Sequence, residues 1–268
     1  MLHQIDGLIL DMDGVLWRGS DPMPGLFNLF ETIQQRQLRC VLATNNSTVT
    51  RDQYVEKLTG MGVQLRPDQV LTSSDVTAEY LSTVASPGTP VYVIGEVGLS
   101  DTLRSYGFRL TPAGAAFVIV GLDRRFTYKK METAMSLILA GAQLIGTNAD
   151  ATLPTPSGPK PGAGALLSAI ATATGTSPLI LGKPEPPVFH HALAHLGTAP
   201  ERTVMVGDRL DTDVLGGNRA GVKTVLVLSG VTSQADLAHS PIRPTWVLED
   251  IRHLAAILES GTEIPGTP

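Results

Sequence analysis

Short apolar runs alternate along the chain with segments whose apolar residues recur every three to four positions. The runs predict strands over Gly7–Leu10, Arg39–Ala43, Val91–Ile94, Ala116–Gly121, Gln143–Gly146, Leu179–Leu181, Thr203–Val206 and Lys223–Leu228. Most of them are continuously apolar instead of alternating, which is the pattern of strands covered on both faces. Between them the period changes to that of a helix. Over Thr127–Ala140 the residues Met131, Ala134, Met135, Ile138 and Leu139 fall on one predicted face. Ala163–Thr174 and Pro187–Leu196 each run into a glycine, Gly175 and Gly197, a natural helix-ending residue. Glu249–Leu258 is the last predicted helix, and the tail from Gly261 to Pro268 reads as frayed.

Strands alternating with helices point to an α/β fold: a Rossmann-like, doubly wound parallel sheet core. Composition agrees. The 268 residues are 43% hydrophobic and 17% charged, enough to bury a sizeable core. The net charge is −5 with basic residues scattered, so no nucleic-acid partner is expected. The single cysteine, Cys40, rules out a disulfide framework within the chain and fits a reducing compartment. Neither a signal-peptide pattern nor a membrane-length apolar run is present, so a soluble, cytoplasmic protein with no membrane partner is expected.

In open parallel sheets, ligands gather beyond the carboxyl ends of strands. Asp11 and Asp13 follow Leu8-Ile9-Leu10; Thr44, Asn45, Asn46 and Ser47 follow Val41-Leu42-Ala43. Gly182 and Lys183 follow Leu179-Ile180-Leu181; Asp208, Asp211 and Asp213 come after Val204-Met205-Val206. If the four strands share a sheet, carboxylates, a hydroxyl and an ammonium emerge at one edge. That set suits phosphoryl transfer, whose barrier falls mainly by positioning and charge neutralisation. Clustered carboxylates would repel a phosphate unless a hard dication sat among them, and oxygen ligands favour Mg²⁺.

Asp11-Met12-Asp13-Gly14, Thr44-Asn45-Asn46, Gly182-Lys183-Pro184 and the segment Gly207-Asp208-Arg209-Leu210-Asp211-Thr212-Asp213 resemble, in identity and order, the four motifs of the haloacid dehalogenase (HAD) superfamily. Gly121-Leu122-Asp123, Gly146-Thr147-Asn148-Ala149-Asp150 and Pro161-Gly162-Ala163-Gly164 extend the resemblance over nearly the whole chain, toward the NagD-type and p-nitrophenyl phosphatase-like branch. The resemblance implies a phosphatase of small phosphorylated metabolites: nucleoside monophosphates, sugar or glycolate phosphates, or pyridoxal phosphate. Asp11 would be the nucleophile, Asp13 the general acid and base, and Thr44 and Lys183 the groups holding the phosphoryl. Asp11, the Asp13 backbone carbonyl and Asp208 would ligate Mg²⁺. Asp213, with Asp211 as the alternative, would orient ligands or Lys183. Asn45, Asn46, Asn148 and Asp150 are candidate substrate contacts. A homodimer through the cap is a further implied expectation.

The spacing adds a second domain. Asp11 to Thr44 is 33 residues, one helix and one strand; Thr44 to Lys183 is 139, too many for one crossover. A smaller α/β domain is therefore expected at 80–178, inserted into a core made of 1–79 and 179–268. In family terms this is a C2-type cap, with specificity expected from Thr147–Gly158.

Other chemistries fail on particular positions. A calcium loop beginning at Asp11 would need ligands where Val15 and Pro22 stand. A Walker A loop at Lys183 lacks its upstream glycine, and Pro184 replaces Ser/Thr. The dinucleotide pattern at Gly162 has Leu167 where the third glycine belongs. A cysteine phosphatase built on Cys40 would need Arg where Asn46 stands. His191 and His195 have a metal-like spacing without a third ligand. A P-type ATPase-like site would want Lys at Asp13. Two alternatives keep the fold: a phosphotransferase, against which the cap position argues, and a non-catalytic binding protein, whose mark would be loss of Asp11 or Asp13.

Overall fold

Four central strands are buried at nearly every position: Gly7–Leu10, Arg39–Thr44, Thr203–Gly207 and Lys223–Val227. Successive side chains of a strand point to opposite faces, so burial of all of them means both faces are covered. A computed structural model describes residues 2–153, 155, 158–262 and 266. The tail and part of the loop expected to set specificity (Pro154, Pro156 and Ser157) lie largely outside them.

The contacts divide the chain into two units. The first comprises 1–44, 54–71 and 183–268; the second comprises 45–53 and 72–182. The long segment of the second unit runs from Thr72 to Gly182, where the sequence suggested 80–178, and 45–53 belongs to that unit as well. Thr72 caps the helix Ser73–Val84, accepting from the Asp75 N–H, and that helix packs on Val97–Ser105 of the same unit.

The first unit holds a six-stranded sheet in the order Trp246–Leu248, Lys223–Val227, Thr203–Gly207, Gly7–Leu10, Arg39–Thr44, Val70–Thr72. The pairings along its first five strands are parallel. Chain order reverses between Gly7–Leu10 and Thr203–Gly207, which makes that boundary the topological switch point of a doubly wound sheet. Register sets Leu10 level with Val206 on one side and Leu42 on the other. The residues after each strand therefore meet at one rim.

The second unit has its own parallel sheet: Leu179–Ile180, Gln143–Gly146, Phe117–Val120, Pro90–Ile94, Arg109–Leu110. Its core joins Ile94, Val118, Val120 and Leu144 to Ala134 and Ile138 of the helix Tyr128–Leu139 and to Leu167 and Ile170 of Ala163–Thr174. The buried arc of Tyr128–Leu139 is narrower than its apolar pattern: Met131 packs on the core, but Met135 and Leu139 lie at the exposed rim.

One strand corrects the sequence reading. Leu179–Ile180 pairs with Gln143–Gly146 in the second unit's sheet, Leu179 opposite Ile145, and does not join the six-stranded sheet. A two-residue apolar run carries no mark of which sheet will take it. Among the described residues, no helix is long and apolar enough to cross a membrane.

Candidate active site

Asp11 is the first residue beyond the Gly7–Leu10 strand, and its N–H donates to the Val206 carbonyl across the switch point at 2.8 Å. The strand ends here because Asp11 and Asp13 take over from the apolar run. The Asp11 carboxylate is 12% exposed and faces the Lys183 ammonium at 2.5 Å. Lys183 is nearly fully buried; its ammonium donates to Asp11 Oδ1 and to the Ala43 carbonyl at 3.0 Å, and it forms an ion pair with Asp213 Oδ1 at 2.7 Å. Burial alone would lower the Lys183 pKa, but the Asp11 and Asp213 carboxylates outweigh it and hold the ammonium above its ordinary range.

Asp208 follows the Thr203–Gly207 strand and is 1% exposed. Its Oδ2 accepts from the Val231 N–H at 2.7 Å. Two glycines make the room. A Cβ on Gly14, which sits at φ +85°, would fall 2.3 Å from Asp208 Oδ2, and one on Gly230 would fall 1.9 Å from it. Asp213 lies in a π turn, Leu210–Val214, and turns inward. Its Oδ2 accepts from the Arg209 N–H at 3.1 Å, and its other oxygen meets Lys183. Asp211, two residues earlier, has a 65% exposed side chain paired with Arg209. Of the two candidates the sequence left open, Asp213 is the one that touches Lys183.

Ligand atoms of Asp11, Asp208 and Asp213 all lie within 4.8 Å of one another. Three carboxylates against one ammonium leave the cluster short of positive charge. Burial first, then the neighbouring carboxylates against the pull of Lys183, push Asp11 well above the usual carboxylate range. Burial and Asp213 push Asp208 up to about 7. A hard dication would remove that shortfall, and an all-oxygen donor set is what such an ion takes. Asp213 has one oxygen on the Arg209 N–H and the other in an ion pair with Lys183, whereas Asp11 and Asp208 each have one oxygen engaged by a hydrogen bond. The residues present fit a metal held chiefly by Asp11 and Asp208.

Asp13 is exposed, and its Oδ1 accepts from the Trp17 indole N–H at 2.8 Å. Thr44 is buried at the end of its strand, 4% exposed. Asn46 turns its side-chain oxygen onto Thr48 N and Oγ1, at 2.9 and 2.8 Å. Asn45, Asn148 and Asp150 come together in the second unit. The Asn148 amide donates to the Asn45 carbonyl at 2.7 Å, and the Asn45 amide donates to the Asp150 carboxylate at 3.2 and 3.3 Å. Two features were not read from the sequence. One is Trp17; an aromatic four residues after Asp13 was the available signal. The other is the Ser229–Val231 segment around Asp208, which carries only Gly230 as a hint.

Family models match over two stretches: a haloacid dehalogenase-like hydrolase over residues 8–109 and a HAD-hydrolase-like model over 180–254. Dihydroxyacetone phosphatase of Corynebacterium glutamicum is 39% identical over 247 residues, 92% of this chain and 90% of that protein. The 4-nitrophenylphosphatase of Thermotoga maritima superposes with TM-score 0.92 at 36% identity, covering 96% of this chain and 98% of that one. NagD of E. coli K-12 gives 0.85 at 35%, covering 92% and 97%. A glycerol phosphate phosphatase of Mycobacterium tuberculosis, in complex with magnesium, gives 0.86 at 31%, covering 96% and 79%. With motifs, fold and relatives in agreement, the chain belongs to the haloacid dehalogenase-like hydrolases, in the branch of NagD and the p-nitrophenyl phosphatases, and is a phosphomonoesterase.

Proposed function

We propose that this chain is a Mg²⁺-dependent phosphatase of small metabolite phosphomonoesters, acting through an aspartyl-phosphate on Asp11. The observation that supports it most is the buried Asp11 carboxylate, paired with Lys183 at 2.5 Å beside Asp208 and Asp213. A carboxylate pinned by a buried ammonium cannot reorient, so its attacking oxygen is preset for in-line attack.

An Asp11 oxygen bonds to phosphorus as the ester P–O bond breaks, and Asp13 gives its proton to the departing oxygen, so the alcohol leaves neutral. Water then attacks the aspartyl-phosphate. Its proton passes to Asp13, the bond from phosphorus to Asp11 breaks, and inorganic phosphate leaves with both carboxyl groups restored. Lys183 and Thr44 hold the phosphoryl oxygens while charge builds on them. Mg²⁺, held by Asp11, Asp208 and the Asp13 backbone carbonyl, would neutralise phosphoryl charge; Asp213 keeps Lys183 in place. Asn45, Asn46, Asn148 and Asp150 are the proposed substrate-side groups. Triose, polyol and sugar phosphates are the substrates we put ahead of nucleoside monophosphates and pyridoxal phosphate, a reading supported by similarity to a dihydroxyacetone phosphatase, an acid sugar phosphatase and a glycerol phosphate phosphatase.

Hydrolysis of p-nitrophenyl phosphate with Mg²⁺ and with chelator tests the metal, and a metabolite phosphate panel scored by kcat/KM tests the substrate class. Turnover that survives exhaustive chelation would remove the metal from the proposal. A nucleotide or pyridoxal phosphate preferred about tenfold over every polyol and sugar phosphate would overturn the substrate order. Asp11→Asn is expected to cost at least about a thousandfold in kcat while leaving the circular dichroism spectrum unchanged. Full activity in that variant would exclude Asp11 as the nucleophile.

A further inference from the structure

Asp13 stands in solvent, where a carboxylate swings between rotamers, yet its proton must arrive at one atom at one moment. Its partner is placed quite differently. Trp17 is fully buried, and its indole N–H, a donor with no acceptor capacity, meets Asp13 Oδ1 at 2.8 Å. A buried indole N–H strongly favours keeping its acceptor. The ring itself is held by two neighbours. Tyr54 stacks on it with centroids 6.1 Å apart and planes 22° from parallel. The Lys57 ammonium lies 4.0 Å from the ring centroid and donates to the Gly19 carbonyl at 2.8 Å, tying the helix Arg51–Gly60 to the turn after Trp17–Arg18.

We infer that Trp17 is a positioning residue for the acid–base step: its N–H occupies Asp13 Oδ1, so the other oxygen, Oδ2, carries the transferable proton toward the leaving group. This rests on the reading of Asp13 as general acid and adds which oxygen acts and what holds it. The inference makes the dependence on Trp17 scale with the leaving group. A p-nitrophenolate departs readily as an anion; a phenolate needs the proton more.

The test compares kcat/KM for phenyl phosphate and p-nitrophenyl phosphate, esters of matched shape, in wild type, Trp17→Phe and Asp13→Asn. Phenylalanine keeps an aromatic ring against Tyr54 and Lys57 and removes the donor, along with part of the ring volume. Trp17→Phe is expected to lower the phenyl to p-nitrophenyl ratio about tenfold, with KM for p-nitrophenyl phosphate changed little, and Asp13→Asn to lower it further. A ratio unchanged in Trp17→Phe but lowered in Asp13→Asn overturns the inference alone. A ratio unchanged in both removes the general-acid reading beneath it. Should Trp17→Phe fail to fold, the indole N–H proton resonance of Trp17, assigned against Trp246→Phe, decides: Asp13→Asn is expected to shift it, and an unmoved resonance overturns the inference.

Discussion

Asp208 illustrates how a proposed metal ligand can cost its own fold stability. Burial and the Asp213 carboxylate hold its pKa up at about 7, against an ordinary value near 3.9. The folded, metal-free chain therefore keeps a proton that the unfolded chain has already released, and each step up in pH across that window favours unfolding. Asparagine has the same shape, keeps an acceptor for the Val231 N–H and carries no charge to bury. In chelator, Asp208→Asn is expected to melt above wild type, by about 2–4 °C for each kcal/mol relieved, with the gap widening between about pH 4 and pH 7. Adding Mg²⁺ should reverse the order, because a ligand bound to the folded state alone stabilises it and the variant has lost that ligand site. Thermal melts in both buffers check this. A variant that melts below wild type in chelator would show that the Asp208 charge is not a burden on the metal-free fold.

At the scale of the element, the strand Arg39–Thr44 shows what a central position means. Cys40 sits in it, 6% exposed, beside Gly7–Leu10, and burial pushes its thiol up to about 12. Almost no thiolate exists near neutrality, and none can be reached without opening the sheet. Iodoacetamide at about pH 8 is expected to leave the native protein unlabelled and to label it in urea only as fast as the chain unfolds. Prompt native labelling would mean that this strand opens locally. The raised value has a second consequence: stability declines as pH rises above about 9, where the unfolded thiol ionises and the folded one does not. The strands that carry Asp11, Thr44 and Asp208 were legible in the sequence because each is a continuous apolar run closed by polar residues. The placement of Leu179–Ile180 was not, since sheet membership depends on partners distant in the chain. Lys183 reaches Asp11 all the same, at the first residue of the chain's return to the first unit. The hairpin Trp17–Arg18 with Asp21–Pro22 also escaped the pattern, being too short to show an alternation. Asp211 and Asp213 look equivalent on paper, and only the π turn separates the exposed one from the buried one.

Among the described residues each unit holds one large sheet, six-stranded in the first and five-stranded in the second, and its own set of buried side chains. Chains of this kind need not unfold in a single step. The distribution of two residue types makes the steps separable. Both tryptophans, Trp17 and Trp246, belong to the first unit, as do Asp11, Asp208 and Asp213. Indole fluorescence therefore reports the unit that holds the proposed metal ligands, whereas far-ultraviolet circular dichroism reports helices and strands of both. In a urea titration, Mg²⁺ is expected to move the fluorescence midpoint to higher denaturant while part of the dichroism transition stays where it was in chelator. The part that does not move belongs to the sheet running from Leu179–Ile180 to Arg109–Leu110, whose core of Val118, Val120, Ala134 and Ile170 contains no group able to feel the ion. If both signals instead shift together by the same amount, the two cores unfold as one cooperative block, and binding energy gained at Asp11 and Asp208 is shared by the entire chain.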